Sequence, residues 1–65
     1  MKKWQYYRVL DDALSTAKRH DVTPDEFYYM LDGIKFCAQQ DYDITPEDFV
    51  EIIEYKDKIA GEIGK

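Results

Sequence analysis

The chain has 65 residues and a formal net charge of −5, with 14 acidic side chains against nine Lys and Arg. That length allows one domain at most, and a chain so short buries only about 60% of the surface its unfolded form exposes. Cys37 is the only cysteine and His20 the only histidine, which excludes an internal disulfide and a Cys/His zinc site as staples.

Packing or self-association must therefore supply the stability. The ten aromatic rings, Trp4 with six Tyr and three Phe, are more than so small a core readily hides. No stretch approaches the roughly 18 apolar residues of a membrane span, and no apolar run of signal-peptide length follows Met1-Lys2-Lys3. A free thiol without an export signal points to the reducing cytoplasm. The negative charge disfavours nonspecific attraction to nucleic acid or anionic lipid.

The first predicted helix covers roughly residues 3–20. Tyr6, Tyr7, Leu10, Ala13, Leu14 and Ala17 recur at helical spacing along one face. Lys18, Arg19 and His20 close it, placing cations where the helix dipole prefers them. The next two helices announce themselves with the same signal. Val22-Thr23-Pro24-Asp25-Glu26-Phe27 and Ile44-Thr45-Pro46-Glu47-Asp48-Phe49 match position by position. In each, Thr caps, Pro takes the first helical position, two acids face the positive end of the dipole, and the preceding aliphatic can staple onto Phe. Thr23 and Glu26 also have the spacing of a capping box. The second helix, roughly 24–40, turns Phe27, Met30, Leu31, Ile34, Cys37 and Ala38 inward. The third, roughly 46–61, uses Phe49, Ile52, Ile53, Ile59 and Ala60, with Ile63 continuing the pattern. No segment alternates with period two. The expected fold is all-α, a small three-helix bundle forming a single helical domain over residues 1–65.

Chemistry finds little support. Asp41-Tyr42-Asp43-Ile44-Thr45-Pro46-Glu47-Asp48 invites a calcium-loop reading, but no register puts carboxylates at the leading ligand positions and Gly at the turn. No nucleophile–base ordering, Gly-rich phosphate loop or metal spacing occurs. His20 reads as a solvated helix end, and Cys37 as a small hydrophobe at the core's edge. The chain is expected to be no enzyme and to carry neither cofactor nor metal.

Ala17-Lys18-Arg19-His20-Asp21-Val22-Thr23-Pro24-Asp25-Glu26-Phe27 resembles the turn of helix-turn-helix proteins, over about a quarter of the chain, with Asp21 where Gly is usual. The resemblance implies a nucleic-acid-binding regulator whose reading helix starts at Pro24. That helix would lead with Asp25 and Glu26, and carboxylates there oppose the dominant phosphate attraction.

The second helix carries an apolar line on its back. Tyr29, Gly33, Phe36 and Gln40 follow at steps of four, three and four, roughly opposite the core stripe, although an amphipathic helix needs only one apolar face. Gly33 at mid-helix costs about 1 kcal/mol relative to Ala, which a close-approach surface would justify. Trp4, on the polar side of the first helix, is a second misplaced aromatic. Two outcomes are open: a central second helix buries Tyr29 and Phe36 within the chain, or the line is an intermolecular surface for a second copy or a foreign protein. In the third helix Phe49, Ile52, Lys56, Ile59 and Ile63 keep heptad spacing, so Lys56 either sits in a seam or snorkels to water. The functional expectation is a small acidic regulator or adaptor binding protein through Trp4, Tyr29, Gly33, Phe36 and Gln40. Its rivals are the nucleic-acid-binding regulator and an acidic decoy that occupies another protein's nucleic-acid groove.

Overall fold

Two capped helix starts and one apolar stripe per helix require three helices that cover one another's stripes, and the computed structural model, which describes residues 1–63, has that arrangement. Helices α1 (Lys3–Arg19), α2 (Pro24–Gln39) and α3 (Pro46–Ala60) follow in chain order, and each packs on both others. No strand occurs among the described residues. The fold is a small all-α three-helix bundle measuring 33 × 16 × 16 Å. Each helix stops one residue short of the sequence expectation, because His20, Gln40 and Gly61 serve as C-caps. Gly64 and Lys65, which close the expected domain, lie outside the described residues.

Both repeated start signals work as capping sites. The Thr23 hydroxyl accepts the Glu26 N–H at 3.2 Å, and the Thr45 hydroxyl accepts the Asp48 N–H at 3.1 Å. Val22 and Ile44, the residues before the caps, pack on the core. The capping box at Thr23 takes a different form from the expected one. The Glu26 carboxylate accepts the Thr23 hydroxyl proton at 3.0 Å, so the second bond runs between the two side chains.

The turn from α1 to α2 is a Schellman-type close. Asp21 lies in the left-handed region at φ 58°, and the Val22 N–H returns to the Ala17 carbonyl at 3.0 Å. The position usual for Gly in the helix-turn-helix pattern is thus a left-handed one, and Asp is among the few other residues that enter it.

Phe27, Leu10, Leu31 and Ile52 are fully buried and form the centre, with Tyr6, Ala13, Ala17, Ala38 and Ile59 around them. Tyr7, Leu14, Met30, Ile34, Phe49 and Ala60 are half-buried on the rim. Cys37, expected at the edge of the core, is exposed. By helical rotation it stands about 60° round from Ile34 on the side away from Leu31, past the covered arc. Tyr55, not placed in the core by the sequence pattern, is half-buried. Its ring meets Tyr7 at a centroid distance of 4.8 Å, and its hydroxyl donates to Asp11, clamping α3 to α1. Lys56 keeps only 16% of its side chain exposed and reaches Asp57 at 3.3 Å. Its stem lies inside the monomer beside the α2–α3 groove while the ammonium reaches outward, so it is no seam residue.

Candidate protein-binding surface

The end of the bundle where α1 begins and α2 closes is held by one carboxylate. Asp41 Oδ2 accepts the Met1 ammonium and the Tyr6 hydroxyl, each at 2.7 Å, and Asp41 Oδ1 accepts the Asp43 N–H at 2.9 Å. The last of these is an Asx-type turn that shapes the connection into α3. The bond from the ammonium, then those from Tyr6 and Asp43, lower the Asp41 carboxyl from 3.8 to about 2. Burial, reinforced by the carboxylate, pushes the Tyr6 phenol up to about 12.

A carboxyl whose folded value lies below its unfolded one stabilises the fold above the unfolded value and stops doing so as protons bind the folded state. The Asp41 contribution is therefore complete above about pH 4 and disappears between about pH 4 and pH 2. Urea midpoints measured at pH 5 and pH 2 should show that loss, and Asp41→Asn should abolish the part of the slope due to this residue.

With Phe27, Leu31 and Ala38 buried, the core of α2 is complete on one side. Its opposite side carries the line seen in the sequence. Tyr29 is 82% exposed and Phe36 62%; Gly33 and Gln40 are exposed with them. The reading in which α2 buries both faces within the chain is therefore wrong. In a three-helix bundle each helix needs one stripe to cover its two neighbours, and α2 meets both with the Phe27 side. A side chain added at Gly33 would meet nothing within 4 Å, so no intramolecular contact requires a glycine there. Gly33→Ala should stabilise the monomer by about 0.5–1 kcal/mol, read from urea unfolding at low concentration.

Trp4 is also exposed, at 60%, but it stands on α1, about 120° round the helix from the buried Leu10. It does not lie on the α2 line. The side chains that flank the line add chemistry the sequence pattern did not single out. Asp32, Lys35, Phe36 and Gln39 enclose a shallow groove of about 220 Å³ directly beside it. A larger groove of about 450 Å³, with Tyr28, Lys56 and Gly61 in its walls, opens between α2 and α3. Tyr42, in the α2–α3 connection, and Val50, on α3, are further exposed apolar residues. Their exposure depends on which face of the bundle is open, which local sequence does not report.

No group of three or more His, Cys, Asp or Glu side chains is placed to hold a metal ion among the described residues. No described helix is long and apolar enough to cross a membrane. The arrangement offers contact area on a rigid helix, with aromatic rings, a central dip at Gly33 and charges of both signs at one edge. Comparison with known protein families, curated proteins and solved structures finds no match to this chain.

Proposed function

We propose that this protein is a small, non-catalytic regulator or adaptor of the cytoplasm that binds protein through the outward face of α2, with Tyr29 and Phe36 as anchors. The observation that carries this reading is the exposure of both rings on a helix whose core side is already complete. Tyr and other large aromatics are the preferred anchors of interfaces, because they bury much area with few rotatable bonds and Tyr keeps a polar handle. Gly33 between them lets a partner approach the helix closely. Gln40 extends the face at its C-terminal end, and Trp4 supplies a separate exposed ring on α1.

A photo-crosslinking residue placed at position 36 tests this in cells of the source organism. It should give protein adducts, whereas the same residue at the exposed Glu54 of α3 should give none. Phe36→Asp should abolish the association while leaving helicity and melting close to those of the parent. Absence of any adduct from position 36, or unfolding by Phe36→Asp, overturns the proposal. Salt-sensitive DNA binding, lost when Lys18 and Arg19 are neutralised, would favour the nucleic-acid reading instead. Competition with DNA for a basic partner would favour the decoy.

A further inference from the structure

Resting on the reading of α2 as a protein-binding face, we infer that its occupant is a second copy of this chain, docked antiparallel across a two-fold axis that passes beside Gly33. The inference comes from the pattern along the face. In an antiparallel two-fold pair of helices, a residue meets those partner residues whose number, added to its own, gives a nearly constant sum. Around Gly33 that sum is about 66, from a uniform rise per residue. Tyr29 then faces the second copy's Phe36, Glu26 faces its Gln40, and Gly33 faces Gly33.

The charged edge obeys the same rule. Asp32 and Lys35 lie on the same side of the line, one turn apart, and neither has an ion-pair partner among the described residues. A two-fold axis perpendicular to the helices keeps that side on the same side in both copies. Asp32 of each copy therefore comes level with Lys35 of the other, within about 1.5 Å along the axis, giving two symmetric ion pairs. A parallel two-fold, whose axis runs along the helices, would instead put the charged edges of the two copies on opposite sides of the interface, where no such pairs form.

Shape agrees with charge. Measured along α2 from Gly33, the shallow groove beside Phe36 extends from just below Gly33 to about 9 Å above it, at Gln39. The second copy's Tyr29 arrives about 6 Å above Gly33, level with that groove. The mid-helix glycine, which nothing within the monomer requires, stands where the two backbones come closest. Sixteen residues give α2 a length of about 24 Å. A pair of such faces lies at the small end of specific interfaces, so the dimer belongs to the weak, micromolar class.

The test is sedimentation equilibrium over a concentration series from about 1 μM to about 1 mM on charge-swapped full-length chains. The parent chain should pass from monomer to dimer. Asp32→Lys alone and Lys35→Asp alone should each raise the dissociation constant at least about tenfold. An equimolar mixture of the two should associate as a heterodimer, and the double swap in one chain should restore the homodimer. Gly33→Ala should weaken association although it stabilises the monomer. A parent that stays monomeric throughout the series, or a mixture of the single swaps that fails to associate, overturns the inference. If position 36 nevertheless crosslinks to a foreign protein, the binding-face reading stands and only its occupant is wrong.

Discussion

Phe27→Ala should move the urea midpoint far below that of the parent, removing about 3–5 kcal/mol of stability. Phe27 is 0% exposed and sits among Leu10, Leu31 and Ile52 at the meeting of all three helices. Truncating a buried Phe costs about 3–5 kcal/mol through lost transfer energy and the cavity left behind. Domains carry roughly 0.05–0.15 kcal/mol of net stability per residue, so 65 residues give about 3–10 kcal/mol in all. The substitution removes a large share of that margin. No disulfide is available to hold the chain together, because Cys37 is free. Far-ultraviolet circular dichroism with urea titration reads the result. A native-like spectrum with a midpoint close to that of the parent would mean that the three helices do not converge on Phe27.

Removing both caps together, Thr23→Ala with Thr45→Ala, should cost about 2 kcal/mol. Each Thr accepts one first-turn N–H that has no partner within its own helix, and such a cap is worth about 1 kcal/mol. The two sites begin different helices and lie about the length of α2 apart, so their effects should add. The first loss should be the larger of the two, because Thr23 also donates its hydroxyl proton to Glu26. Chemical unfolding of the two single variants and the double variant checks both the sum and the order. Equal single effects would mean that the bond from Thr23 to Glu26 contributes nothing net.

Local rules make most of the fold legible in the sequence. A cap, a proline, two acids and a stapled Phe act within one helical turn, so the starts at Pro24 and Pro46 could be placed to the residue. The core stripe of α1 was readable from helical spacing alone. The misplacements share one cause, which is that facing direction depends on partners in other helices. Tyr55 could have been found from its spacing of three from Ile52 and four from Ile59, but Lys56 fitted a heptad equally well. What decides between them is Tyr7, which lies on α1. Cys37 was drawn inward by its hydrophobicity, yet the two neighbours of α2 leave that arc uncovered. The hub at Asp41 joins residues 35 and 40 positions away and leaves no short-range pattern. The aromatic line on α2 was visible as a pattern, but whether it was core or surface depended on how many sides of that helix the bundle covers.

The connections between helices are brief, running from His20 to Thr23 and from Gln40 to Thr45. Short connections let the α1–α2 and α2–α3 contacts begin close along the chain at each turn, whereas every α1–α3 contact must close across the whole of α2. Low contact order of this kind places a domain among the fast folders, in the microsecond-to-millisecond range. The clamp of Tyr55 on Tyr7 and Asp11 and the ion pair of Lys3 with Glu51 belong to that distant set. They should form after the rate-limiting step, so weakening them would hasten unfolding more than it slows folding. How long a folded molecule persists before it opens should therefore depend mainly on the α1–α3 seam.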